Sequence, residues 1–181
     1  ELSLFIGPPG LGKSRLTLWL AVCQILGWPW CGFDVQGPPL RWLFIGNENS
    51  CSRLRDDLSR MCQGMTPEEM GAVESHLLIL ADVDPDGCDL TLNLETVRRM
   101  EATLREHRPG FVVFDPLTSL ADGDENDASA TRDTLKKLRN LVRRSAPGAG
   151  ILLVHHSRIG REHARKAADV FDAGAYVRGS K

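Results

Sequence analysis

The sequence has little of several features that mark particular protein classes. It contains one tyrosine in 181 residues, and aromatic residues make up 6%. No apolar run approaches the roughly 18 residues of a membrane span, and the start, Glu-Leu-Ser-Leu-Phe-Ile-Gly, lacks the basic residues and long apolar stretch of a signal peptide. We therefore expect a cytoplasmic protein with no membrane partner.

The cysteine spacing argues against a zinc site, and the net charge argues against a general attraction for polyanions. The five cysteines are odd in number and form no CxxC pair or other zinc spacing, so we expect reduced thiols. These are Cys23, Cys31, Cys51, Cys62 and Cys88. A formal net charge of -2 provides no global field for a polyanion. Any nucleic-acid contact would therefore need a local basic patch.

Apolar runs alternate with helical patterns, which indicates βαβ units and an α/β fold with a parallel sheet. Hydrophobic residues make up 42% and charged residues 25%, as in an ordinary globular domain. We predict strands over Leu2–Ile6, Trp42–Ile45, Leu77–Leu80, Phe111–Phe114 and Ile151–Val154. We predict helices over Lys13–Leu26, Ser52–Met61, Leu94–Glu106 and Ala130–Arg144. Residues 1–181 are expected to form a single domain, a fragment of a longer polypeptide.

The strongest motif lies between the first strand and the first helix. Residues 7–14 read Gly-Pro-Pro-Gly-Leu-Gly-Lys-Ser and fit the P-loop pattern G-x-x-x-x-G-K-[ST] in its proper context. Glycines let backbone N–H groups turn toward phosphate oxygens, and the following helix directs its positive end at the same anion. Lys13 would contact the β- and γ-phosphates of ATP, and Ser14 would bind Mg²⁺. The expected nucleotide-binding residues are Gly7, Pro8, Pro9, Gly10, Leu11, Gly12, Lys13, Ser14 and Arg15.

Two acidic residues follow predicted strands. Asp115 ends the strand Phe111–Phe114, which is the Walker B pattern, and its carboxylate could hold Mg²⁺ through a water. Because Pro116 follows, no adjacent glutamate can activate water. Glu48 follows the strand Trp42–Ile45, at the edge where ligands bind in open α/β sheets, and is our candidate for the catalytic base. In the alternative reading Glu48 is a surface acid before a helix that Asn49 or Ser50 caps.

Polar residues also follow the last predicted strand. His155 and His156 would reach the same sheet edge, where a histidine could contact the γ-phosphate. The alternative is a histidine whose hydrogen bonds are satisfied in the core or in a loop. Beyond them lies a basic segment, the candidate nucleic-acid contact. It contains Arg158, Arg161, Arg165 and Lys166. The alternative for this segment, as for the basic helix face at 136–144, is an ordinary solvated surface, which is favoured because no aromatic residue is interleaved to stack bases.

Taken in order, these motifs resemble the RecA-fold ATPases of the RepA-like and DnaB-like hexameric helicase branch, with KaiC-type ATPases more distant. The resemblance also includes Gly27–Gly32 before the second strand and Arg178-Gly179-Ser180 near the end. It implies a RecA-like three-layer αβα sandwich in which the His155 strand lies between the P-loop strand and the Asp115 strand, with the Glu48 strand beyond.

The resemblance further implies a homo-oligomeric ring, a hexamer in this group, that hydrolyses ATP with Mg²⁺ and acts on single-stranded DNA as a helicase or as an accessory of replication or mobilisation. Arg178 matches the arginine finger that this group inserts into a neighbouring subunit's site; alternatively it is a solvated residue near the end of the sequence. Two other functions stay open: a KaiC-like regulatory ATPase and a small-molecule kinase.

Overall fold

Strands and helices alternate along the described part of the chain. The computed structural model describes residues 1–46, 49–81, 94–116 and 128–156. Its strands are β1 (Leu2–Gly7), β2 (Trp42–Gly46), β3 (Leu77–Ala81), β4 (Phe111–Asp115) and β5 (Gly150–His156). Its helices are α1 (Lys13–Leu26), α2 (Cys51–Met61), α3 (Pro67–His76), α4 (Leu94–His107) and α5 (Ala128–Ser145). Among the helices of the described ranges, none combines the length and the hydrophobicity of a membrane-spanning segment.

The described strands form one parallel sheet in the order β1-β5-β4-β2-β3. The predicted RecA-like three-layer fold is therefore confirmed, as is the placement of β5 between β1 and β4 with β2 beyond. The register aligns the carboxyl ends of the strands: Gly7 of β1 pairs with His156 of β5, and Gly46 of β2 pairs with Asp115 of β4. Residues that follow these strands thus start from one edge of the sheet.

Two apolar cores lie on opposite faces of the sheet, because successive strand side chains point to opposite sides. In β2, Leu43 and Ile45 pack against α4 and α5, whereas Trp42 and Phe44 pack against α1, α2 and α3. All five residues of β2 are buried. Burial on both faces explains why the strands are continuous apolar runs in the sequence.

The predicted strands and helices agree with the structure to within two residues at each end, but one helix was missed. α3 begins with a capping box in which Thr66 accepts from the Glu69 N–H and the Glu69 side chain accepts from the Thr66 N–H. Only Val73 of α3 is fully buried, so its apolar periodicity is weak. The capping box, with Pro67 at the first helical position, was the available signal.

Gln24 anchors the connection between α1 and β2. This buried side chain donates to the Pro38 carbonyl at 2.7 Å and accepts from the Leu40 N–H and the Trp42 indole, both at 3.0 Å. The Trp30 indole in the same connection donates to the Leu16 carbonyl at 3.2 Å. These bonds tie residues 27–41 to the helix that follows the P-loop.

Candidate nucleotide-binding site

The backbone of residues 7–14 is shaped to receive an anion. Gly10 and Gly12 have φ values of 79° and 77°, in the left-handed region that only glycine adopts readily. Gly12 is the N-cap of α1, has no side chain to cap the helix, and is followed by no acidic residue in the first turn. The first N–H groups of α1 therefore remain directed, with the positive end of the helix dipole, toward the loop.

The side chain of Lys13, the first residue of α1, contacts the start of this loop. The residue is only 6% exposed, and its ammonium donates 2.8 Å hydrogen bonds to the carbonyls of Gly7 and Pro8. A buried ammonium must be compensated by such acceptors, because its desolvation is otherwise strongly unfavourable. The two bonds hold the charge of Lys13 against the first two residues of the P-loop.

Ser14 contacts a residue that the sequence reading did not assign to the site. The Asn49 side-chain amide donates to the Ser14 hydroxyl at 3.3 Å, and both residues are partly buried. Ser50, the next residue, is the N-cap of α2 and accepts from the Arg53 N–H at 3.3 Å. Asn49 and Ser50 are both candidate caps for α2 from the sequence. In the structure Ser50 caps the helix, and Asn49 contacts Ser14 of the P-loop helix instead.

Arg15 is directed toward α2. Its Nε donates to the Asp57 carboxylate at 2.8 Å, and Asp57 is 7% exposed. This hydrogen bond, and then the charge of Asp57, raise the pKa of the Arg15 guanidinium above its ordinary value. The pair joins α1 to α2, and this geometry gives Arg15 a structural contact in addition to its predicted place beside the nucleotide.

Asp115 is held at the carboxyl end of β4 by a close approach to β2. The residue is 2% exposed, and both of its carboxylate oxygens are buried. Its register partner is Gly46, and a Cβ added at Gly46 would lie 2.8 Å from the Asp115 carbonyl oxygen. Glycine at position 46 thus lets the two backbones approach and fixes where Asp115 ends its strand.

His155 belongs to β5, where it pairs with Ile6 of β1. The residue is partly buried and its Nδ1 atom is buried. By strand alternation it lies on the same side of the sheet as Leu153, the side covered by α4 and α5. The backbone of His156 completes β5 beside Gly7. The structure therefore brings the histidine backbone to the P-loop edge.

Several predicted site residues lie outside the described ranges. These are Glu48, Arg158, Arg161, Arg165, Lys166 and Arg178. Within the described ranges, no group of three or more His, Cys, Asp or Glu side chains could hold a metal ion. Oxygen donors of the kind that Mg²⁺ prefers are present in the Ser14 hydroxyl and the Asp115 carboxylate. This donor set fits a cation that is also bound by nucleotide phosphates.

A parallel sheet flanked by helices, with a glycine-shaped loop and a buried lysine between β1 and α1, defines a P-loop ATPase domain with a RecA-like fold. The particular family follows from comparison with known proteins. The chain belongs to the AAA domain family, which it matches over residues 1–162. A comparison with curated proteins found no match.

Proposed function

We propose that this domain binds Mg-ATP at residues 7–15 and hydrolyses it as one subunit of a ring-forming ATPase. The observation that carries the proposal is the P-loop geometry: left-handed Gly10 and Gly12, the uncapped start of α1, and the buried ammonium of Lys13. A β,γ-phosphate group would meet backbone N–H donors, a helix dipole and a fixed positive charge in one place. Membership of the AAA domain family supports the same function.

Side chains at the same edge of the sheet would bind Mg²⁺. The Ser14 hydroxyl and the Asp115 carboxylate would hold Mg²⁺, which when bound neutralises charge on the phosphate oxygens. Asn49 donates to Ser14 Oγ and so orients that hydroxyl. Asp115 is buried, and a carboxylate in such surroundings interacts strongly with a nearby cation because water screens it poorly.

Glu48 is our proposed base, because it follows β2, whose last residue pairs with Asp115. A carboxylate within reach of the attacking water would orient that water and accept its proton. His155 or His156 would contact the γ-phosphate from β5. Glu48→Gln tests the assignment: it should bind Mg-ATP like the parent but release phosphate more slowly by on the order of 10² to 10⁴. Parent-like turnover would place the base elsewhere, with Asp122 or Asp124 as the next candidates.

Arg178 is proposed to complete the site of a neighbouring subunit. A guanidinium supplied in this way neutralises charge on the γ-phosphate and is worth about 10³ to 10⁵ in rate. Mixing Arg178→Ala chains with Glu48→Gln chains should then restore part of the activity, since some junctions combine an intact base with an intact finger. A dilute monomer that hydrolyses ATP at full rate and is unaffected by Arg178→Ala would contradict the shared site.

A more specific proposal is that this ATPase is a DNA helicase. It is supported by the resemblance to RepA-like ATPases and by the basic segment at 158–166. Turnover measured with and without single-stranded DNA separates it from the two alternatives. Stimulation by DNA supports the helicase, whereas slow unstimulated hydrolysis supports a KaiC-like regulatory ATPase. Transfer of phosphate to a small-molecule acceptor in place of water would support a kinase.

A further inference from the structure

The helices α4 and α5 pack side by side on one side of the sheet and turn a basic outer surface to solvent. Residues 94–108 and 128–145 contain ten basic and four acidic side chains, a net charge of +6 in a chain of net charge -2. All ten basic residues are exposed. We call this surface the basic face; its members are Arg98, Arg99, Arg105, Arg108, Arg132, Lys136, Lys137, Arg139, Arg143 and Arg144.

The helical layer on the other side of the sheet has no such excess. Helices α1, α2 and α3 together contain five basic and five acidic residues, a net charge of zero. α2 alone presents three exposed arginines, Arg53, Arg55 and Arg60, but Asp56 and Asp57 lie between them. The positive charge is therefore a property of one layer and not of the protein as a whole.

The charge on α5 is arranged in a way that does not help the helix itself. Arg132, Lys136, Arg139 and Arg143 follow one another at three- or four-residue intervals, which places them in a stripe about 16 Å long. Like charges at this spacing repel and destabilise a helix. The buried positions of α5, among them Leu138, already cover the sheet without any contribution from the stripe.

Glu101 joins the two helices and leaves the face positive. Its carboxylate binds Arg144 of α5 at 3.0 Å and Arg105 of α4 at 3.8 Å, so one acidic residue is shared by two cations. At the carboxyl ends of the helices, Arg105 and Arg108 line an open cavity of about 460 Å³ together with Pro109 and Pro147. The positive surface therefore continues into a recess that a phosphate could enter.

The surface is charged but carries few apolar anchors. The exposed large hydrophobic residues in the described ranges are Leu11, Phe33, Met70 and Leu94, and only Leu94, the first residue of α4, belongs to this layer. Protein interfaces are generally anchored by buried aromatic and apolar side chains. A phosphodiester backbone needs only lysine and arginine, and the face offers no exposed aromatic side chain for stacking bases.

We propose that the basic face of α4 and α5 binds the phosphodiester backbone of nucleic acid without reading its sequence. Its residues are other than those of the segment at 158–166, and its action requires neither ATP nor hydrolysis. From the sequence alone, residues 136–144 are interpreted as an ordinary solvated helix face. The structure adds the second basic helix beside it, the shared Glu101 and the cavity between the helix ends.

The test is fluorescence anisotropy of a labelled DNA duplex of about 30 base pairs, without nucleotide and at about 50 mM salt, where phosphate contacts are strong. A triple variant, Lys136→Gln with Arg139→Gln and Arg143→Gln, should weaken binding by on the order of 10- to 100-fold and lower the salt dependence. The matched control is Arg53→Gln with Arg55→Gln and Arg60→Gln, which removes equal charge from α2 and should change affinity by less than about threefold.

Three outcomes would overturn the proposal. They are no binding of duplex by the parent, equal weakening by the two triple variants, and equal affinity for polyglutamate of the same charge, which would indicate an acidic polypeptide partner. Single-stranded DNA of equal length is a second arm and should bind more weakly than the duplex, whose charge density is higher. Circular dichroism of both variants checks that the fold is retained. If a separate assay detects no ATP hydrolysis, the proposed ATPase function fails, but the result for DNA binding by the basic face is unchanged.

Discussion

The side-chain amide of Asn49 donates a 3.3 Å hydrogen bond to the hydroxyl of Ser14, a residue 35 positions earlier in the chain. Asn49 lies just after β2, and Ser14 is the second residue of the helix that follows the P-loop. The bond is possible because β1 and β2 end at the same edge of the sheet. It links Asn49, the residue after Glu48 in the sequence, to the residue we propose as a Mg²⁺ ligand.

Asn49→Ala should weaken the affinity of the nucleotide site for Mg²⁺. Without its donor the Ser14 hydroxyl is less well oriented, and we expect the Mg²⁺ concentration for half-maximal ATP binding to rise by about 3- to 10-fold, in line with the loss of one hydrogen bond. Binding of ATP in EDTA should not change. Asn140→Ala, on α5, is the control. A Mg²⁺ requirement that stays the same in Asn49→Ala would remove this residue from the site.

Gly46→Ala should displace the end of β4. The new methyl group would lie 2.8 Å from the Asp115 carbonyl oxygen, a backbone atom that cannot rotate away. We expect the free energy of unfolding to fall by about 1–3 kcal/mol, as for other overpacked sites. ATP hydrolysis should fall as well, since Asp115 shifts with the strand. Urea denaturation followed by tryptophan fluorescence measures the first effect.

Gly71→Ala provides the matched control for this substitution. Gly71 lies inside α3, its φ is not in the left-handed region, and a Cβ there meets nothing within 4 Å. Alanine should therefore raise stability by about 0.4–1 kcal/mol. If Gly46→Ala is as harmless as Gly71→Ala, the close approach of β2 to Asp115 is not a constraint.

Much of the fold was predictable because the sheet is buried on both faces. Runs such as Trp42–Ile45 and Phe111–Phe114 have no polar position, which identifies them as strands of an α/β core. α3 was not predicted, because it places one fully buried residue, Val73, against the core and so shows little apolar periodicity. Its signal was local, in the capping box of Thr66 and Glu69, and not in any hydrophobic pattern.

The site was predictable only where one motif specifies it. Lys13 and Ser14 follow from the P-loop pattern, since the spacing of glycines and lysine is itself the chemical requirement. The contacts of Asn49 with Ser14 and of Asp57 with Arg15 join residues 35 and 42 positions apart. Such pairs depend on how β1 and β2 are placed in the sheet, and a single sequence contains no signal for them.

The thiol of Cys23 should make stability fall at high pH. Burial, and then the nearby Cys31, raise its pKa from 9.0 to about 11. Between these values the unfolded chain releases the proton while the folded chain keeps it, so the free energy of unfolding decreases as pH rises. Urea denaturation from pH 8 to pH 11 should show a steeper decline in the parent than in Cys23→Ala. Parallel curves would contradict a raised pKa in the folded protein.

Isothermal titration calorimetry of Mg-ATP with the parent and Lys13→Ala tests most directly whether residues 7–15 form the nucleotide site. Lys13 should contact phosphate in the ground state, so its loss should weaken binding by about 10- to 100-fold, the usual worth of a hydrogen bond to a charged group. Lys137→Ala, which removes an exposed lysine of α5, should bind like the parent. Equal affinity of Lys13→Ala and the parent, with both proteins folded, would contradict ATP binding at this loop.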